Sequence, residues 1–584
     1  MNRAGRAGLL LSYVAVAAMS LNPAWGADPP PIPPADAAAT DSGAELRRLK
    51  SQLDDQRKQI DQLRSMLEAQ SQMLEKIGKS PTFEVSGEHV TPPNLGQIAS
   101  TTPMLPPAPP APPASPTPLP KPPQTTAAGT DATAPLQLKI GDTSITPVGF
   151  MDMTAVSRST NPGSGIGTNF GSIPYANTQA GSLTETRLSP QNSRIGARMD
   201  THYNNVNVTG YWESDFLGQI GNPPNGGLAV SSNPYVFRMR LYWVDVRKDK
   251  FEFLAGQSWS LMTPGKVGIS PLPGNIFYSQ DIDVNYQAGL VWGRIPGFRF
   301  VYHPSDKVHF GLALENSEPY IGGGNGGSAI TVPALFGTAN AVSGAFLGGQ
   351  VNNGSSVISA AAVHPDIIAK LAFDPTNKFH LELAGVEITN RLSNPASTPA
   401  FQSHTKAGGG GSINLSFLVA PGVKVYTNNF WSDGGGRYIF GQAPDFIVHG
   451  DGSLSLVHSA STVTGIEATF GKKTPTMFYA YYGGVYIGKN LAIDANGTTK
   501  IGYGPISSDG QNRTIQEATF GTNTTLAKNS KWGALNLMFQ YSYLQRNPWL
   551  AAPGALSDAH VHMGFVNLRY TLPGEPPKGP GILK

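Results

Sequence analysis

Arg194, Arg198, Arg238, Arg240, Arg299, Lys370 and Arg569 are the residues of this chain whose type and spacing best suit a chemical task. Arg238 and Arg240 lie two residues apart, a step of ~7 Å along an extended strand, and Arg194 and Arg198 share a face of another strand. Guanidiniums held on one wall bind carboxylates in a bidentate manner. The counter-argument sits on the same face: Asp200, Glu213, Asp215, Glu252, Glu315 and Glu382 are placed to neutralise them as salt bridges. Other candidates carry less. His560 and His562 share a strand face, which suits a weak transition-metal site, but no third ligand is near them in sequence. Residues 322–327 (GGGNGG) fit a dinucleotide glycine pattern formally, without the strand, turn and helix that pattern needs. No metalloprotease helix, P-loop or Gly-x-Ser-x-Gly elbow occurs, so no enzyme activity, cofactor or metal is expected.

These residues must be positioned by a particular kind of scaffold. The chain has 584 residues, 67 Gly, 50 Pro, no Cys and only 14% charged residues. The absence of cysteine excludes disulfides, thiolate metal sites and cysteine nucleophiles. It also fits a chain that crosses an oxidising compartment. A hydrophobic fraction of 40%, without repeated apolar runs of ~20 residues, excludes a helical polytopic membrane protein. A net charge of +3 argues against nucleic acid as a partner.

The first 26 residues read as a secretory signal: Arg3 and Arg6, the apolar stretch 7–21, then Ala24-Trp25-Gly26, with cleavage before Ala27. Losing those two arginines takes the formal charge from +3 to +1. A Pro/Ala-rich segment (27–44) leads to residues 45–78, predicted as a coiled coil. Leu46, Leu53, Ile60, Leu67 and Leu74 recur every seven residues, as do Leu49, Gln56, Leu63, Gln70 and Ile77. The two glutamines cost stability but fix register. Residues 79–143 are a Pro-rich linker, largely polyproline over 103–123.

From 144 to 572 the period becomes two. Ile195, Ala197, Met199, Thr201 and Tyr203 alternate with Arg194, Gly196, Arg198, Asp200 and His202. Seven short connections follow one another: 204–205, 248–250, 305–307, 375–377, 420–422, 471–475 and 528–531. Between them lie long polar stretches: 157–192, 217–235, 260–293, 317–365, 389–410, 432–460, 488–514 and 546–559. Seven hairpins with one strand before (145–156) and one after (560–571) make sixteen. The fold class is therefore all-β, a sixteen-stranded antiparallel transmembrane β-barrel with short turns at one end and long loops at the other. Residues 284–292 alternate too, but a seventeenth strand breaks the parity, so they are assigned to the third loop. Trp212, Phe216, Trp243, Tyr541, Tyr543 and Tyr570 read as lipid-facing residues near strand ends. A tail, 573–584, closes the chain.

Signal segment, heptad helix, proline spacer and barrel together resemble the DcaP-like trimeric outer-membrane porins. The likeness extends to residues 193–216 (SRIGARMDTHYNNVNVTGYWESDF), 237–246 (FRMRLYWVDV), 251–262 (FEFLAGQSWSLM) and 294–316 (RIPGFRFVYHPSDKVHFGLALEN). It implies a homotrimer in the outer membrane with a periplasmic coiled coil, and passive uptake of small, preferentially anionic solutes. Two features depart from the pattern, the length of the linker and the tail beyond Tyr570. The tail leaves Val566, Leu568 and Tyr570 to carry the insertion signal.

A passive, water-filled channel for small carboxylates is thus expected, with outer-membrane lipid, further copies of the chain and the solutes as partners. The loop 260–293 is expected to fold inward, with Lys266, Asp281 and Asp283 as its polar contributors to a constriction. The alternatives are a structural anchor that tethers the envelope through its arm and peptidoglycan, and a hydrolase embedded in the barrel.

Overall fold

The computed structural model describes Lys50 and residues 138–573, apart from 219–235, 278–279, 335–361, 394–401, 507–510, 530 and 552. The chain divides into the units Met1–Thr125 and Thr126–Lys584. The signal segment, the heptad helix apart from Lys50, the polyproline run and the tail beyond 573 lie outside the described residues.

Sixteen wall positions succeed one another in chain order. They begin with β1 (Thr143–Arg158), β2 (Arg194–Tyr203), β3 (Val206–Gly218), β4 (Val236–Lys248), β5 (Phe251–Trp259), β6 (Arg294–Ser305), β7 (Val308–Glu315) and β8 (Asp366–Thr376). They continue with β9 (Phe379–Ser393), β10 (Ser403–Ala420), β11 (Val423–Asp433), β12 (His458–Phe470), β13 (Thr476–Ile487), β14 (Asn512–Asn529), β15 (Gly533–Pro548) and β16 (Ala559–Thr571). Each pairs antiparallel with its neighbour, and β1 pairs with β16 over residues 150–158 and 563–571. Closure leaves no open edge in the wall, as lipid requires. The second position is shared: residues 144–150 of β1 pair with β2, and residues 154–158 pair with a separate segment, Glu185–Ser189. A short strand, Leu138–Ile140, falls within the stretch assigned to the linker and folds back on the start of β1.

All seven short connections join the strand pairs that the sequence assigned to them. Asn204 and Asp249 take positive φ of 52° there, a conformation that Asn and Asp tolerate better than most residues. Residues 284–292 form no strand, and Tyr286 and Gly289 turn the chain at φ of 64° and 83°. One loop is shorter than composition suggests. The run 408–411, four glycines read mostly as part of the loop 389–410, is laddered strand in β10, opposite residues 385–388 of β9. Backbone pairing needs no side chain. Gly410 also fits closely, because an added Cβ would lie 2.8 Å from the Ser432 Cβ.

The alternation is apolar outside and polar inside. Phe298, Phe300, Phe310, Leu312 and Leu314 are exposed on the outer face, whereas Arg299, His303 and His309 are buried within. This inverts the pattern of a soluble protein and matches a lipid-facing wall. One residue expected to face outward turns inward. The β3–β4 register shifts between the pairs Glu213–Leu241 and Ser214–Met239, which leaves Arg240 as an extra residue. That bulge sends both Arg240 and Leu241 inward and reverses the parity of the remainder of β4. Trp243 is consequently only 4% exposed and stacks on Tyr211 at 5.4 Å, so it is no lipid-facing aromatic.

Candidate functional site at the constriction

The bore is narrowed by the loop 260–293, which is fastened to many strands at once. Leu261 N–H donates to Glu315 (2.7 Å) on β7, Gly265 N–H to Glu382 (3.0 Å) on β9 and Gly268 N–H to Asp374 (2.9 Å) on β8. Further along, Gln280 N–H donates to the Tyr481 hydroxyl (3.0 Å), Ile282 N–H to Gln540 (2.6 Å) and Ala288 N–H to Glu517 (2.8 Å), on β13, β15 and β14. A loop bonded to the inner faces of strands so far apart in order lies inside the barrel. The loop 434–457 packs beside it: Trp292 N–H donates to the Tyr438 carbonyl, and the Trp292 ring stacks on Phe440 at 4.2 Å. Arg437, fully buried, holds that second loop through Asp445 (2.9 Å) and Asp366 (3.3 Å). Burial pushes the Asp445 carboxyl up to about 6, the nearby Arg437 notwithstanding.

The basic residues singled out in the sequence all sit on the inner face, each with an acceptor in reach. Arg240 bonds Glu213 (2.7 Å) and Asp215 (2.8 Å), and Arg238 grips Asp215 with two nitrogens (2.9 and 2.7 Å). Arg198 pairs with Asp200 (2.7 Å), Lys370 with Glu382 (3.2 Å) and Arg569 with Asp152 (2.9 Å). Arg299 donates to Ser258 Oγ and to the Trp259 carbonyl. Arg194 is held most loosely. Its contacts are 3.5 Å to Glu213 and 3.4 Å to the Tyr286 hydroxyl, and its Nε has no partner.

Arg194 and Arg569 meet beside the loop. They lie over the ring of Phe150, at 4.9 and 4.3 Å from its centroid, and line a cavity of about 210 Å³. Lys266, Gln280, Asp281 and Asp283 from the loop line it as well. The cavity thus gathers the three loop residues named from sequence and two of the seven wall cations. Burial pulls the Lys266 ammonium below its ordinary value and pushes the Asp283 carboxyl above its own. Asp283 accepts from the Thr168 hydroxyl (2.5 Å) and from Asn285 N–H (2.8 Å), so it is engaged in holding the loops themselves.

Sequence reasoning missed the aromatic members. Tyr286 lies 5.2 Å from Trp292, and Arg294 lies over Trp259 and Trp292 at 5.5 and 5.4 Å. Burial raises the Tyr286 phenol, but Arg194, Arg240 and Arg294 outweigh it and bring the group to about 8. A signal for Phe150 was available: Asp152 amid apolar text fixes the parity of β1, which turns Phe150 inward. Elsewhere, His560 bonds Asp558 and His562 bonds Tyr541 on the outer face, and no group of three metal ligands occurs among the described residues. Residues 322–327 lie in a loop with a 3-10 turn.

A closed sixteen-stranded wall, apolar without, charged within and narrowed by an inward loop, defines a transmembrane β-barrel of the porin type. It is similar to the crystal structure of the outer-membrane channel DcaP of Acinetobacter baumannii, with a TM-score of 0.51 at 14% identity over 75% of this chain and 100% of that one. An anion-selective porin from Comamonas acidovorans (TM-score 0.39, 11% identity, 74% and 100% covered) and OmpF of Salmonella typhi (0.39, 9%, 75% and 100%) are more distant. The shared fold rests on the first. No protein-family model and no curated protein sequence matches the chain.

Proposed function

We propose that the chain is a passive outer-membrane channel for small anionic solutes, carboxylates foremost, that it works as a homotrimer, and that its N-terminal arm lies in the periplasm. A sixteen-stranded barrel is wide enough to keep an aqueous path past an inward loop. The observation that carries the anion preference is the cavity beside that loop. Arg194, Lys266 and Arg569 line it, against Asp281 and an Asp283 already engaged by Thr168. Cations at a narrow point raise the local concentration of carboxylates, and loose partners such as those of Arg194 leave donors to offer them. Contacts of this kind bind a solute without trapping it. The heptads of 45–78 and the resemblance to trimeric porins support the assembly. The test is the reversal potential of the full chain in a planar bilayer under a KCl gradient. Anion selectivity is expected; a cation-selective or non-conducting barrel overturns the reading.

A further inference from the structure

His303 and His309 stand on either side of the short turn 305–307, on β6 and β7, and meet on the inner face. Both are buried, and their Nδ1 atoms lie 2.7 Å apart. A contact that short between two ring nitrogens holds one hydrogen, donated by one ring and accepted by the other. The pair therefore carries no charge or one. A second charge puts a hydrogen on both Nδ1 atoms, sets two N–H groups against each other and breaks the contact.

His303 Nε2 lies 3.1 Å from Glu252 on β5, and His309 Nε2 lies 3.9 Å from Asp374 on β8. Asp374 also accepts from Gly268 N–H (2.9 Å), so one carboxylate faces both the imidazole and the inward loop. Gly268 has a φ of 55°, and a Cβ added there would lie 3.3 Å from His309 Nε2. The loop thus turns directly on the His309 ring. Asp374 bonds His380 (2.8 Å), and His380 lies 3.3 Å from Glu382, the acceptor of Gly265 N–H. Lys370 lies 3.2 Å from Glu382. The other charged groups around the pair are Asp245 and Arg247 on β4 and Arg299 on β6. Lys266 is the one cation of the loop 260–293.

We propose that the contact between His303 and His309 is an acid-operated release for the inward loop. When both rings are charged, His309 leaves His303 and is drawn to Asp374, which then gives up Gly268 N–H. The wall lies behind the loop at this point, so the freed arm, residues 263–270, moves toward the axis and narrows the bore. Acid closes the channel and neutral pH reopens it. The switch rests on the proposed function of the chain as a channel.

The test records single channels of the full chain in a planar bilayer from about pH 7 down to about pH 4. The ratio of closed to open time is expected to rise about tenfold, the worth of one charge-assisted hydrogen bond. His303→Gln keeps an amide for Glu252 and His309 but takes up no proton, so its ratio should stay within about twofold. His309→Gln should behave in the same way, which covers the case of one variant failing to insert. A spin label on Val267→Cys, in a chain otherwise free of cysteine, should gain mobility in acid, and should not when combined with His303→Gln. A channel that conducts at neutral pH and ignores acid overturns the switch alone, whereas a barrel that never conducts overturns the proposed function with it. Acid closure that persists in both glutamine variants, or closure with an unmoved label, also overturns the switch.

Discussion

Replacing Arg194 with serine perturbs the constriction cleanly. Glu213, its nearest carboxylate, stays bonded to Arg240 at 2.7 Å, so no buried charge is orphaned. The cavity of about 210 Å³ corresponds to a sphere of radius ~4 Å, which puts an ion at its centre ~6 Å from the guanidinium. In a water-like dielectric one unit charge at that distance contributes ~0.7 kcal/mol. An anion loses that much and a cation gains it, so the permeability ratio should fall about tenfold. At 1 M salt the Debye length is ~3 Å and the change should shrink to under about twofold. The assay is the reversal potential under fixed-ratio KCl gradients, run near 10 mM and near 1 M. A folded, conducting variant whose ratio moves by less than about twofold at low salt refutes the placement of Arg194 at the narrow point.

Arg240→Ser is the opposite case, since it strips both Glu213 and Asp215 of a buried partner. A loss of about 3–5 kcal/mol is expected, read as an earlier loss of heat-resistant mobility on gels, whereas Arg194→Ser should scarcely move it. Tyr286 reaches about 8 beside Arg194 and Arg240. Its phenolate adds a negative charge as pH rises through that value, so anion preference should fall there, and Tyr286→Phe should abolish the step. A flat profile in wild type rejects this. The detergent-solubilised full chain should have the mass of a trimer, and deleting 45–78 should leave a trimer, held by its barrel walls, that is less stable. A monomer or dimer from the full chain refutes the assembly.

The wall was legible because lipid imposes its period on the text. Arg194 and Arg198 alternate with Ile195 and Met199, and that pattern fixes the strand, its face and its neighbours. The seven turns were legible for a related reason, since short polar breaks between alternating runs leave the chain little room to do anything but reverse. The features that escaped were local or spatial. A single extra residue at Arg240 reverses the parity of β4, and no period-two count detects it before Trp243 is seen buried. The glycines at 408–411 look like a loop because glycine has poor strand propensity, yet cross-strand pairing holds them. Phe150 and Tyr286 converge on Arg194 only because a loop from a distant part of the chain folds into the bore.

In six fastenings of the inward loop to the barrel, the loop supplies a backbone N–H and the wall supplies the side-chain acceptor: Glu315, Glu382, Asp374, Tyr481, Gln540 and Glu517. A main-chain donor is indifferent to the residue that carries it, proline excepted. The side chains that look into the cavity can therefore change over evolutionary time while the loop keeps its moorings. Replacing Lys266 or Asp281 leaves those six bonds in place, whereas replacing a wall acceptor such as Glu382 or Glu517 removes the bond itself.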